Sequence, residues 1–446
     1  MRAADLAPPT IPAHPIPPDQ PSASWPATPV IGLEWSPQST WNSRDPASTW
    51  DNPALVWDDP AAGVGFVDVW CDCAGVEVVH GEPDETDLFP PSRLTLTLYD
   101  PGGKYTRRTV DGQLVYYAPG RRVVALGLID GVAWWVFAGA VATWTEHGDT
   151  VEVVAYSTPA ALAQDPGREW SAGVDGDTLR PRATAIVAAS GIAGVALRAD
   201  LGDATLSVPA AEAVPAWEML QRAAWSDAGV CYSDADDTLV VRDRRWRQGR
   251  GDEPTPPLVL TDNVCIAGNT VVWDAEIANV DEWLAARVVL SNAADPALVA
   301  TASNPAELID PRLVFTHPDT DLWRTQSEGD AVAAAIANDR GTARLAVGFA
   351  RVYLHDPRRS TPAEARAMVD LRLGDRVAWQ HEYTNPDATV TLVDVDVIAQ
   401  TIRHAITPDE WLVEVESSPA VGYRVVHEYD TTTLTWDTSD TTGVWR

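Results

Sequence analysis

The feature that most constrains this chain is two-residue alternation in short runs that end at turn signals. Leu94, Leu96 and Leu98 alternate with Thr95, Thr97 and Tyr99, and Asp100-Pro101-Gly102-Gly103 closes the run. Successive side chains of a strand point to opposite faces, so such a run buries one face and wets the other. Val393, Val395 and Val397 alternate with Asp394 and Asp396 in the same way, and Trp411, Val413 and Val415 alternate with Glu414 and Glu416. Apolar runs at 121–129, 132–144 and 151–156 are divided by Asp130-Gly131 and by His147-Gly148-Asp149. Strands at this spacing predict antiparallel sheets.

Helical patterning is confined to a few places. Thr158-Pro159-Ala160 has the chemistry of a short helix start. Arg182–Ser190 stops at Gly191. Ala213–Ala228 carries Trp217, Leu220 and Ala224 on one stripe and stops at Gly229, and Gly329–Asn338 is rich in alanine. A hairpin is expected from Gly229 to Val241 around a turn at Ser233–Asp237. The class that results is mainly β with α+β parts. An extended Pro- and Trp-rich arm covers 1–65 and a first antiparallel β-barrel-like domain 66–157. A mixed α+β domain follows at 158–257, then a second β-rich barrel-type domain with one inserted helix at 258–420, and a C-terminal tail at 421–446. At roughly 100–200 residues per domain the length accommodates this division.

Asp and Glu number 64 against 32 Lys and Arg, a net charge of −32. That balance excludes a conventional nucleic-acid binder, which displaces counterions from phosphate with a basic surface. It also excludes docking on anionic lipid through basic residues. No run reaches the roughly 18 apolar residues that span a bilayer, so no membrane anchor is expected. The N-terminal segment lacks an apolar core, so no secretory leader is expected either, and synthesis in a cytoplasm follows. Four cysteines make no disulfide framework.

Several patterns hint at chemistry and have a plainer reading beside them. Cys71-Asp72-Cys73 with His80 suggests zinc, but the spacing is CxC, and Cys231 and Cys265 stand apart; ordinary strand thiols account for them. Asp234, Asp236 and Asp237 resemble the start of a calcium loop that lacks its glycine and its final Glu, so a hairpin turn is the better account. No HExxH, GxSxG, SxxK or P-loop pattern occurs, so no catalytic residue, cofactor or metal is assigned and the chain is read as not an enzyme. A cell-wall hydrolase with carboxylates distant in sequence stands as the lesser alternative.

The 20 tryptophans are the remaining oddity. Trp35, Trp41, Trp50 and Trp57 punctuate the arm, and Thr49-Trp50-Asp51-Asn52-Pro53 is nearly copied in Val56-Trp57-Asp58-Asp59-Pro60 and echoed in Leu434-Thr435-Trp436-Asp437. Each can anchor a strand or an arm on a neighbouring surface, and that reading of Trp35, Trp41, Trp50, Trp57 and Trp436 is favoured over glycan stacking.

Leu88-Phe89-Pro90-Pro91-Ser92-Arg93-Leu94-Thr95-Leu96 and Tyr99-Asp100-Pro101-Gly102-Gly103-Lys104-Tyr105 resemble consecutive motifs of siphophage minor tail proteins of the actinobacteriophage type. Gly120-Arg121-Arg122-Val123, the run Phe137–Trp144, Leu373-Gly374-Asp375-Arg376-Val377, Ile402–Ile406 and Trp411–Val415 continue the likeness in order over about 66–420. The resemblance implies a baseplate or tail-tip hub: a homotrimeric ring in the virion that joins the tail tube to the distal tip and fibre. The distal tail protein, the tape measure protein and other minor tail proteins are its implied partners, with DNA met only as it passes through the channel. A receptor- or glycan-binding tail-tip module is the alternative. In a ring of this kind an acidic bore would repel DNA and keep it mobile, and Asp394, Asp396, Glu414 and Glu416 are the candidate channel-facing acids. The Trp-rich arm and tail exceed what a minimal hub needs.

Overall fold

The computed structural model describes residues 25–35, 56–59, 64–81, 89–103, 105, 108–110, 113–115, 120–164, 168–169, 174–207, 213–244, 258–261, 270–272, 274–279, 284–292, 295–304, 313–321, 323–340, 345–384 and 390–429. The elements that position the site are β1 (Thr28–Trp35), β2 (Cys73–Gly81), β3 (Arg93–Tyr99), β4 (Arg122–Ile129), β5 (Val132–His147) and β6 (Thr150–Tyr156). They continue with α1 (Leu179–Ser190), α2 (Ala216–Trp225), β7 (Val230–Ser233), β8 (Leu239–Arg242) and α3 (Gln326–Asp339). The last are β9 (Leu345–Tyr353), α4 (Pro362–Val369), β10 (Arg376–Thr384), β11 (Val390–Ile406) and β12 (Trp411–Tyr429).

Alternation dictates the first β-rich stretch. Leu94, Leu96 and Leu98 are fully buried on β3 while Arg93 and Tyr99 are exposed, and Val151, Val153 and Ala155 of β6 face the same core. Strands β2 to β6 pair antiparallel in the order β2-β3-β6-β5-β4. Beyond β4 lies β1, which comes from the segment expected as an extended arm. Its Val30-Ile31 registers with Leu126-Ala125, and Ile31 and Leu33 are buried.

The mainly-β, α+β class holds, and no closed barrel forms among the described residues. The reason lies in β11. Its first half, Val390–Ile398, pairs with β10, whereas its second half, Thr401–Ile406, pairs with β2 of the first β-rich stretch. Strand β12 follows β11 along its other edge, with register shifts at Val395/Val397 and Ala399/Thr401. Such bulges bend a strand and re-aim its edge. The two β-rich stretches therefore share one 15-stranded sheet among the described residues and one apolar core, which runs from Val78, Leu96 and Phe137 to Met368, Trp379 and Trp411.

Gly81 sits where β2 leaves β11. Its φ is +81°, and a Cβ there would lie 1.9 Å from the Gln400 carbonyl oxygen, so only glycine fits.

Two smaller cores stand beside the sheet. In one, α1 and α2 close over the β7–β8 hairpin through Ile186, Leu220 and Leu239. Arg182 is fully buried there and donates to the carbonyls of Ser207, Val174 and Leu206. The other gathers Trp323, Val332 and Ile336 around a three-stranded sheet, Val299–Ser303, Arg287–Asn292 and Val314–Asp321. Helix α3 starts on a capping box: Thr325 Oγ1 accepts from the Glu328 amide, and Glu328 accepts from the Thr325 amide. A second helix in this stretch, α4, has the same device at Thr361 and Glu364 with Pro362 behind the cap, and the sequence reading passed over it.

Gly329 lies within α3, where alanine would ordinarily favour the helix by about 1 kcal/mol. A Cβ at this position would meet the buried Trp323 indole at 2.5 Å. Gly329→Ala is therefore expected to destabilise by about 1–3 kcal/mol, the usual range for overpacking. A thermal melt checks it: the midpoint should fall, and a rise would show that the indole yields.

Candidate functional site: a buried polar junction

Where β11 changes partner, three parts of the chain meet on polar side chains. The turn after α4 comes first. Arg372 holds it by donating from Nη1 to the carbonyls of Val369 (2.9 Å) and Leu371 (3.2 Å), and the Arg372 amide donates to Asp375 (2.8 Å). Gly374, at φ +79°, turns the chain so that its amide donates to Ala399 of β11, and the Ala399 amide donates back to Asp375. This exchange spans the interval between the β10-paired and β2-paired halves of β11.

The β7–β8 turn supplies the second part. Asp234 is 3% exposed and lies between two guanidinium groups, Arg372 Nε at 2.9 Å and Arg198 Nη2 at 2.7 Å. Asp236 accepts from the Thr238 amide. Asp237, at φ +68°, accepts from both the amide and the hydroxyl of Thr158 at 2.6 and 2.7 Å. Each carboxylate of the acidic turn thus has at least one oxygen bonded within the protein, as a hairpin turn requires. Among the described residues no group of three His, Cys, Asp or Glu is placed to hold a metal ion. His80 points into the core, and Asp72 accepts from the Tyr105 hydroxyl at 2.6 Å.

The third part comes from β2 and β3. His80 Nε2 lies 2.8 Å from the Val136 carbonyl oxygen, which can only accept, so Nε2 carries the hydrogen. Nδ1 then accepts from the Ser92 hydroxyl at 2.9 Å. Ser92 Oγ lies 3.0 Å from Ser233 Oγ, which lies 2.7 Å from Ser157 Oγ. A Ser–His contact suggests nucleophilic catalysis, but Ser92 is 2% exposed and His80 is 5% exposed, so the contact lies inside the protein. The chain of hydroxyls ties the first β-rich stretch to the β7–β8 hairpin. Gln221 of α2 adds a bond to the Phe89 carbonyl, and Phe89 meets the Tyr232 ring edge-on.

His404 of β11 completes the junction. It stands edge-on to His80 at 6.5 Å, and the Trp411 indole N–H donates to its Nδ1 at 3.4 Å. Burial pushes the pKa of His80 down to about 4, with Arg372 adding to the effect, and burial with the neighbouring His80 pushes His404 down to about 3. Burial moves Asp375 the other way, to about 6.

On the opposite face an alternating ladder of charges crosses the same seam. Glu414 of β12 bonds Arg351 of β9 at 2.6 Å and lies 3.9 Å from Arg403 of β11. Arg403 bonds Glu77 of β2 at 2.5 Å, and Glu77 lies 4.0 Å from Arg93 of β3. Of the acids expected on a wet face, Glu414 is thus paired across two strands, and Asp396 is paired with Arg376. Glu416 lies half-buried opposite Thr401, and Asp394 stands opposite Gln380 in the β10–β11 ladder. Trp35 ends β1, and Trp57 lies in the strand Val56–Asp59, which pairs with Val64–Asp68. Trp41, Trp50 and Trp436 lie outside the described residues. Sequence reasoning did not find the junction, because His80, Ser92, Ser233, Arg372 and His404 come from distant segments with no shared spacing.

The chain matches no protein-family model and no curated protein sequence. Its fold is similar to that of the tail protein from Neisseria meningitidis MC58, with a TM-score of 0.50 and 14% identity over 79% of this chain and 92% of that one. The 43 kDa tail protein of prophage MuSo2 from Shewanella oneidensis aligns at TM-score 0.49 and 13% identity, over 80% of this chain and 94% of that one. The prophage tail protein gp18 from Listeria monocytogenes EGD-e aligns at 0.44 and 11%, over 82% and 94%. At 14% identity the first likeness is one of fold.

Two outcomes test the junction. Arg372→Met removes one partner of a buried carboxylate and should cost about 2–4 kcal/mol in urea unfolding, with Asp234→Asn in the same chain restoring part of it. A loss below about 0.5 kcal/mol would place the pair outside the stabilising network. The second outcome concerns pH. The folded values of both imidazoles lie below the unfolded 6.5, so their contribution is complete above pH 6.5 and is lost as pH falls toward 4 and 3. Asp375 opposes this, since its contribution is complete below 3.8 and is lost as pH rises through about 6. His404→Asn keeps an acceptor for Trp411 and removes one titration. The native chain should lose roughly 2 kcal/mol relative to that variant between pH 7 and pH 5, and parallel pH profiles would contradict the assignment.

Proposed function

We propose that this chain is a structural protein of a phage tail tip, a hub whose copies form a ring between the tail tube and the distal tip and fibre. The observation that carries the reading is the fold likeness to the tail protein from Neisseria meningitidis MC58 over most of both chains. The ordered motifs between about 66 and 420 support it independently, because they resemble those of minor tail proteins. The architecture suits the role. A body that transmits load between assemblies needs its parts fixed, and here a shared sheet, a continuous core and a buried polar junction join the two β-rich stretches.

On this reading the functional surfaces are contacts with other proteins, and the Ser–His contact is a structural tie. Three copies, each with two β-rich stretches, would offer six quasi-equivalent contacts around a ring. Trp35, Trp41, Trp50, Trp57 and Trp436 would dock on neighbouring chains, with the distal tail protein, the tape measure protein and other minor tail proteins as the proposed neighbours. The excess of negative charge would keep passing DNA mobile.

Native mass spectrometry of the full chain, together with a reconstruction of the assembled tail, tests the proposal. A homotrimer, with three copies ringed at the tail tip, is expected. A stable monomer, with no copy in the tail, would contradict it.

A further inference from the structure

His80, Ser233, Asp234, Arg372 and His404 of the junction line a small cavity together with Trp135 of β5 and the apolar Val369, Leu371, Leu373 and Ile402. The space open to the centre of a water-sized sphere is about 10 Å³, which is what one water molecule needs.

The residues on this lining carry polar groups that divide by chemistry. The Trp135 indole Nε1 is buried, has no protein acceptor and can only donate. His404 Nδ1 accepts from Trp411, so in the neutral ring the hydrogen sits on Nε2, a second donor. Asp234 has two oxygens that share the Arg372 and Arg198 ion pairs, and its carboxylate can accept further bonds. The Ser233 hydroxyl is an acceptor as well. Arg372 is already committed to Asp234, Asp370 and two carbonyls.

We infer that the junction binds one structural water molecule, which accepts from Trp135 Nε1–H and His404 Nε2–H and donates to Asp234 or Ser233. The lining selects this ligand. An anion would face the Asp234 carboxylate, a cation would face two N–H donors, and an apolar group would leave the buried indole N–H without an acceptor at the full desolvation penalty. A molecule that accepts two bonds and donates two satisfies both sets. It would link β5, the β7–β8 turn and β11.

The test is a crystal structure of the full chain at a resolution that shows ordered water, with magnetic relaxation dispersion of water oxygen-17 in solution. A density peak within hydrogen-bond distance of both Trp135 Nε1 and His404 Nε2 is expected. Trp135→Phe keeps the ring and removes the donor, so it should lose or displace that peak and lower the number of long-lived waters by one. A collapsed cavity, a protein acceptor on Trp135 Nε1, or an unchanged count of long-lived waters in Trp135→Phe would each overturn the inference. Should the variant fail to fold, the native chain's density decides alone.

Discussion

The structure depends on one strand that changes partner. Residues 390–398 of β11 complete the second β-rich stretch, and 401–406 complete the first. Every backbone amide in a sheet interior needs an acceptor, so a strand can leave one neighbour for another only where something else satisfies the exposed groups. Here the Gly374-Asp375 turn does so by exchanging bonds with Ala399, and the bulges near Val395 and Ala399 absorb the change of direction. The bare Cα of Gly81 lets β2 come close enough to take over.

That arrangement brings charged groups inside. Asp234 and Arg372 meet near the strand exchange because the hairpin turn and the turn after α4 both converge there. A buried ion pair contributes little net stability against apolar residues of the same shape, yet loss of one partner is expensive. The pair therefore acts mainly to fix which surfaces meet. The serine chain from Ser157 to His80 acts in the same way, since Ser233 meets Ser92 and Ser157 only when the hairpin seats against the first β-rich stretch. Both imidazoles stay neutral because charging either would place a cation beside Arg372 in a desolvated site.

Much of the local structure was legible. The alternation at Leu94–Leu98 names the buried face correctly, and Gly191 ends α1 in the left-handed conformation that a helix stop requires. The capping box at Thr361 was present in the sequence and readable, since Pro362 and Glu364 stand in the usual places. Strand β1 was hidden by the prolines around it: Val30, Ile31 and Leu33 become a strand because β4 offers an edge, which is a tertiary cause. The junction was not legible at all. Val76 lies opposite Ile406, and no local pattern encodes a pairing between segments so far apart in the chain. The acidic turn at 234–237 did stand out but was read as a turn alone, and its meeting with the turn after α4 is a product of the sheet.

The central claim is that β11 joins the two β-rich stretches into one cooperative body. Native-state hydrogen exchange tests it most directly. The amides of 76–81 and 401–406 should exchange only through the global opening, with the same free energy as the amides of β3, β6 and β10. If the 76–81 and 401–406 amides exchange through a lower-energy opening while both flanking β-rich stretches stay protected, the seam is not a joint of the fold and the account fails.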